Sequence, residues 1–307
     1  MNRSCCTRKT TASARYGEEV VAGAAHTGLK GWRLNMEDEV VAELLGPHLG
    51  VFAVMDGHGG AFCSRWAAAE LAPRLSPLGE RVHAASDADE PRQVAQHLSE
   101  AVRQMDCDLR TRGRPAWSCG TTLVTLLVTR RSLTVANLGD SRAVLCRAGT
   151  ALPLSRDHKP KNASELQRIV GAGGFVVDGR VNGDLSLSRA LGDFRHKCVP
   201  ELPPAKQPVS SEPEARRGAD TFQPSGSARS ARSARSARSA RLHCAPRPEP
   251  LSAGAHQAST AAHNCNDMLA GAHHAPPGLR RLRAARMRRS VGCALLRGGH
   301  CLRCALL

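Results

Sequence analysis

Gly50-Val51-Phe52-Ala53-Val54-Met55-Asp56-Gly57-His58-Gly59-Gly60 is the stretch on which the reading of this chain turns. Its first six residues carry no polar side chain and have the length of a buried strand. The run then delivers a carboxylate, an imidazole and three glycines, an arrangement built to hold something charged. Carboxylate oxygens suit hard divalent cations, and glycine lets backbone carbonyls turn toward them. An Asp-Gly pair alone more often marks a hairpin turn. A second acidic cluster upstream, Glu37-Asp38 within Gly31-Trp32-Arg33-Leu34-Asn35-Met36-Glu37-Asp38-Glu39, reverses that reading.

Further short segments rich in β-branched and aliphatic residues predict strands at Val51–Met55, Leu123–Val128, Leu133–Asn137 and Ala143–Arg147. Asn137-Leu138-Gly139-Asp140-Ser141 reads as the hairpin turn between the last two, with Gly139 as the permissive residue. Helices are expected at Ala61–Leu71, Pro91–Arg110 and Ser164–Val170. In the second, Val94, Leu98, Ala101, Met105 and Leu109 recur at three- and four-residue spacing. Strands in series with helices inserted between them give an α+β class. Trp32, Trp66 and Trp117 read as packing residues. Asp193 reads as a turn residue or a salt-bridge partner of Arg189.

Together with those two acidic stretches, five further ordered blocks resemble a known family. They are Cys119-Gly120-Thr121-Thr122, Asn137 to Ala143, Asp157-His158-Lys159-Pro160, Glu165 to Gly174, and Val181 to Asp193. In that order they resemble the metal-dependent protein serine/threonine phosphatases of the PPM (PP2C-like) family. The resemblance runs over about residues 23–214. It implies two packed antiparallel β-sheets flanked by helices, incomplete at the C-terminal end and followed by a disordered tail. The expected division is a flexible N-terminus at 1–17, a truncated phosphatase domain at 18–214, and a low-complexity tail at 215–307.

The resemblance also implies a chemistry. Phosphoester hydrolysis at neutral pH needs charge neutralisation and an activated water, which two divalent metals supply. On the family pattern Asp56 bridges two Mg²⁺ or Mn²⁺ ions, while Glu37 and the Gly57 carbonyl complete one of them. Asp38 would orient water from outside the ligand shell. Arg33 would fork onto phosphate oxygens, and His58 would protonate the leaving serine or threonine oxygen. Asp140 resembles the ligand of a third, weaker metal. It reads equally as a turn-former. Phosphorylated proteins are the implied substrates of a monomer.

After Glu214 the family pattern would continue with a hydrophobic strand ending in Asp-Gly, and later an Asp-Asn pair, both supplying metal ligands. This chain reads Ala215-Arg216-Arg217-Gly218-Ala219-Asp220 instead. Asp267 follows Asn266 with no apolar strand before it and is not taken as a ligand. One ion would keep Glu37, Asp56 and Gly57, the other only Asp56. Two readings therefore stand beside the phosphatase. One is a catalytically impaired relative that binds phosphoproteins or a partner, and the other is an interaction protein acting through its basic tail.

The formal charge of +16 belongs mainly to the tail, where residues 215–307 carry a net +13 and the first 214 only +3. Of nine aromatic residues only Phe222 lies beyond Glu214, so this segment has little apolar area to offset ordering. Ser-Ala-Arg repeats five times from Ser227 to Arg241, a period of three that matches no solenoid repeat. Solvated low complexity is favoured over a nucleic-acid or anionic-surface grip, since no aromatics interleave the arginines. Deleting 226–307 is expected to leave stability nearly unaltered. The twelve cysteines read as reduced thiols. Cys304-Ala305-Leu306-Leu307 fits a prenylation box, with Cys304 as the anchor. No run approaches the ~20 apolar residues of a membrane span, and cytosol or nucleus is the default address.

Overall fold

The computed structural model describes residues 6–15, 21, 23–31, 33–84, 89–130, 132–147, 150–217, 290–297 and 300–307. Two antiparallel sheets lie face to face. One has the order Glu214–Arg217, Leu133–Leu138, Leu123–Thr129, Leu49–Met55, Glu39–Leu44. The other runs Cys6–Arg15, Gly23–Gly31, Ser290–Arg297, His300–Leu306, Ala143–Arg147, Thr150–Pro153.

The opening apolar run explains this layering. Successive strand residues point to opposite faces, so a strand buried on one face alone would alternate apolar with polar. Leu49–Met55 is buried at every position because both its faces are covered. Phe52 and Val54 join Val124, Leu126 and Val135 against Ala24, Leu145 and Leu306 of the second sheet. Val51, Ala53 and Met55 turn the other way, toward helices.

Those helices are Phe62–Leu75, Leu78–Ala84 and Glu90–Arg110. In the last, all five residues of the expected apolar stripe are buried. The helix Ala163–Gly171 stands apart with the Val176–Val177 and Arg180–Val181 hairpin over a small core of Ile169, Val181, Leu185 and Val209. The α+β sandwich with flanking helices is thus as expected.

Three expectations need correction. The Asn137–Ser141 turn closes no hairpin, because Leu133–Leu138 belongs to the first sheet and Ala143–Arg147 to the second. It carries the chain across the sandwich, and Leu133–Leu138 pairs instead with Leu123–Thr129. Second, the stretch expected as a structureless tail contains ordered strands. Glu214–Arg217 pairs with Leu133–Leu138, and the hairpin Ser290–Arg297/His300–Leu306 fills the middle of the second sheet.

Leu306 is 1% exposed there, and the Arg142 and Leu307 backbones exchange two hydrogen bonds. The short apolar runs Val291–Leu296 and Cys304–Leu307 were hidden behind the arginine count. Cys304 lies within a paired strand opposite Leu145. The Ser-Ala-Arg repeat, Asp267 and the rest of 218–289 lie outside the described residues. Third, Cys146 is disulfide-bonded, whereas Cys63, Cys107, Cys119 and Cys198 are free thiols.

Candidate active site

Glu39 pairs with Met55 in the antiparallel ladder between Glu39–Leu44 and Leu49–Met55. Continuing that register by two residues sets Asp38 and Glu37 beside Asp56 and Gly57. The approach is close: a Cβ added at Gly57 would stand 2.2 Å from the Glu37 carbonyl oxygen and 2.8 Å from Ser64 Oγ. No side chain fits at that position, which is the physical reason for glycine. The Ser64 hydroxyl, at the start of the Phe62–Leu75 helix, donates to the same Glu37 carbonyl and pins the acidic stretch in place.

Asp56 is fixed by its backbone. Its N–H donates to Thr122 Oγ1 at 2.9 Å, and its carbonyl accepts from Thr122 N–H at 3.0 Å. Thr122 Oγ1 in turn lies 2.6 Å from Ser141 Oγ, which ties the Asp140 turn to the Asp56 turn. Asp140 itself is buried and paired with the Lys159 ammonium. The neighbouring Arg142 grips Asp157 through two hydrogen bonds of 3.0 Å. Arg33 follows the Gly23–Gly31 strand and is exposed.

His58 Nε2 lies 2.7 Å from Asp193 Oδ2. Burial of the ring depresses its pKa, but the Asp193 hydrogen bond and the charges of Asp193 and Asp56 outweigh burial and raise it. Asp193 is almost fully buried and sits in the left-handed region at φ 51°. Asp193 thus opens a tight turn, one of its two expected roles, with the His196 N–H donating to its carbonyl at 2.9 Å. The other role is corrected, since Arg189 pairs with Glu165 and the Asp193 carboxylate meets His58. A buried aspartate held at positive φ directly after Gly192 is a strained placement, and the Gly192-Asp193 pair was its only sequence trace.

Glu37, Asp38, Asp56, Gly57 and His58 are therefore neighbours, while Asp140 is joined to them through Thr122 and Ser141. Among the described residues no three His, Cys, Asp or Glu side chains converge as a metal cage. The carboxylate-bearing positions at the turn are Glu37, Asp38 and Asp56, beside the Gly57 peptide. The ligands that the resemblance implies, Glu37, Asp56 and the Gly57 carbonyl, would suit one magnesium-like ion, which keeps several waters and takes one or two carboxylates. A second ion would have only the shared Asp56 among the residues expected to bind it. Of the tryptophans, Trp117 packs its ring 5.8 Å from Phe194 while staying 41% exposed, and Trp32 is outside the described residues.

Comparisons with known proteins agree with this geometry. The family described as Protein phosphatase 2C matches residues 23–221. A "Probable protein phosphatase 1N" of Mus musculus is 42% identical over 223 residues, covering 69% of this chain and 51% of its own length. The protein of the same description from Homo sapiens is 40% identical, with 72% of this chain and 53% of its own length covered. This chain thus spans about half the length of these two relatives. A "Probable protein phosphatase 2C 11" of Oryza sativa subsp. japonica is 34% identical, with 68% of each covered. Among solved structures, a phosphatase from a pathogenic strain of Toxoplasma gondii superposes with a TM-score of 0.57 at 25% identity. The match covers 68% of this chain and 75% of that one. The ordered motifs, the two-sheet sandwich and the residues matched place the chain in the protein phosphatase 2C family.

Proposed function

We propose that the chain hydrolyses phosphoserine and phosphothreonine monoesters in proteins with the help of a divalent metal. The observation that carries this reading is the approach of the Glu37 carbonyl to Gly57, which brings the Glu37-Asp38 stretch against Asp56. Glu37, Asp56 and the Gly57 carbonyl would hold magnesium or manganese, with Asp38 oriented toward its waters. An ion held there neutralises phosphoryl oxygens and makes a water acidic enough to attack at neutral pH.

The remaining work falls to this chain's own side chains. Arg33, an exposed residue four positions before Glu37, would present a planar guanidinium whose paired N–H groups match two phosphate oxygens. Asp193 engages Nε2 of His58 and favours the imidazolium, so Nδ1 is the nitrogen left to protonate the departing alkoxide. Thr122 and Ser141 fix the Asp56 backbone, which keeps its carboxylate from following the substrate out.

Turnover of a phosphothreonine peptide should require Mn²⁺, stop with chelator and be abolished in Asp56→Asn. Absence of Mn²⁺-dependent hydrolysis, together with no calorimetric uptake of Mn²⁺, overturns the reading. A second reading, a phosphoprotein-binding relative without turnover, draws on the capture of Asp140 by Lys159 and on the ligands that the family pattern places after Glu214 and this sequence lacks there. It is selected if the peptide binds without being hydrolysed and binding weakens in Arg33→Ala.

A further inference from the structure

Directly behind the His58–Asp193 pair lie two sulfurs that the proposed hydrolysis does not use. Cys63 is in the first turn of the Phe62–Leu75 helix, and Cys119 ends the short Arg114–Ser118 helix. Their Sγ atoms are 2.9 Å apart, both residues are free thiols, and both are buried. Each sulfur is further held by a backbone carbonyl. Cys63 Sγ lies 3.3 Å from the Cys119 oxygen and Cys119 Sγ 2.9 Å from the Pro115 oxygen. A disulfide bond is about 2.05 Å long. Closing this pair therefore requires the sulfurs to move together by less than about 1 Å.

We propose that Cys63 and Cys119 are an oxidation site for a peroxide, forming a disulfide whose closure shifts Gly120 against the His58–Asp193 pair. Cys119 as thiolate attacks one peroxide oxygen, the O–O bond breaks, and the departing hydroxide takes a proton to become water. The Cys63 sulfur then attacks the sulfenic sulfur of Cys119. The S–O bond breaks, and the hydroxyl leaves as water with the Cys63 proton. Two thiols lose two electrons and one peroxide becomes two waters.

The surroundings assign Cys119 the attacking role, because the Cys63 thiol can hydrogen-bond to it and favours its ionisation over the opposing effect of burial. The Arg114–Ser118 turn above it is exposed except at Ala116. Opening that single turn uncovers Cys119 without disturbing either sheet.

The sulfurs are closely packed against the backbone that carries the pair. The Cys119 carbonyl accepts the Asp193 N–H at 3.0 Å. A Cβ at Gly192 would lie 2.6 Å from the Cys119 oxygen and 2.8 Å from Cys63 Sγ. One at Gly120 would lie 2.2 Å from Asp193 Oδ2 and 2.7 Å from His58 Nε2. The Gly192 and Gly120 backbones thus lie directly between the sulfurs and the Asp193 and His58 side chains, with no room for even a methyl group at either glycine.

The test treats the full chain with hydrogen peroxide, alkylates remaining thiols under denaturing conditions, and maps peptides without reduction. A Cys63–Cys119 cross-link is expected, reversed by dithiothreitol and absent from Cys63→Ala and Cys119→Ser. Amide resonances of Gly120 and Asp193 should move on oxidation of the native chain and stay fixed in peroxide-treated Cys63→Ala. If both cysteines remain alkylatable, or Cys119 proceeds to sulfonic acid without a cross-link, the site is refuted. A cross-link that leaves the Gly120 and Asp193 resonances unmoved refutes the coupling.

Discussion

Gly57→Ala is the substitution that most directly tests how the acidic stretch meets the strand end. The added methyl would stand 2.2 Å from the Glu37 carbonyl oxygen, where ordinary contact begins at 3.4 Å. The opposing atom is backbone, tied down by the Ser64 hydroxyl, so it cannot rotate aside. Relief requires the two segments to part by about 1 Å, an overpacking cost of about 1–3 kcal/mol. Disturbing the Ser64 hydrogen bond adds about 1 kcal/mol, for a total loss near 2–4 kcal/mol. Metal sites tolerate ligand displacements of only about 0.2 Å, so Mn²⁺ uptake should weaken at least about tenfold.

Urea unfolding reads the first quantity and calorimetric titration with Mn²⁺ the second. Gly171→Ala is the control, since nothing lies within 4 Å of its added Cβ and it ends a helix without positive φ. It should be neutral or stabilising by up to about 1 kcal/mol. A Gly57→Ala chain with the native urea midpoint and native Mn²⁺ uptake would show that Glu37 does not lie against Gly57.

Asp193→Asn removes the charge that holds His58 protonated, so the histidine should titrate at lower pH by NMR; an unmoved titration removes Asp193 from the site. In the native chain the raised His58 pKa contributes stability that is complete below the unfolded pKa and is lost as pH rises through the folded one. Acid should act oppositely through Glu165 and Glu214. Burial would raise Glu165, but the Arg189 hydrogen bond and the Arg168 and Arg189 charges hold it at about 2. Glu214 is lowered to about 2 by His158 and Arg216, against burial. Stability should therefore be full above the usual carboxylate range and fall between pH about 4.5 and 2, with the fall reduced in Glu165→Gln. That variant also leaves Arg168 and Arg189 without their shared carboxylate and should cost about 3–5 kcal/mol by urea unfolding. Leu306→Ala should cost about 2–4 kcal/mol if the C-terminal hairpin is seated in the sheet, and a value near zero would unseat it.

What was legible in the sequence was what local pattern encodes. The continuous apolar run at Gly50–Met55 announced a buried strand, and the three- and four-residue stripe in Pro91–Arg110 announced an amphipathic helix. Glu37, Asp56 and Gly57 were singled out because acidic residues and glycine sat beside such a strand, and the structure makes these segments neighbours. Asp193 was missed because its meaning is a contact across 135 residues with His58. Nothing within Leu191-Gly192-Asp193 specifies that partner. The Asn137–Ser141 turn was misread for a similar reason: a tight glycine turn looks alike whether it closes a hairpin or passes between sheets. Cys63 and Cys119 lie 56 residues apart in sequence and drew no attention as a pair.

The parts of the site that came together share a structural cause. Glu37, Asp38, Asp56 and Gly57 depend on one antiparallel ladder, Glu39–Leu44 with Leu49–Met55, and on one helix start carrying Ser64. His58 and Gly120 depend on the small sheet of Gly57–His58, Gly120–Thr121 and Leu191–Gly192, which also delivers Asp193. Every one of these pairings lies between residues 37 and 193. Glu37, Asp38, Asp56, Gly57, His58 and Asp193, the residues to which the proposed chemistry is assigned, can therefore come together as one unit, whatever occupies the segment from Gly218 to Arg289. Restoring the aspartates that the family pattern places after Glu214 would add ligands to a site already folded, and should raise Mn²⁺ affinity without altering the His58–Asp193 pair. A restored chain whose manganese uptake stays unchanged would mean that the Asp56 side of the turn is not open to a second ion.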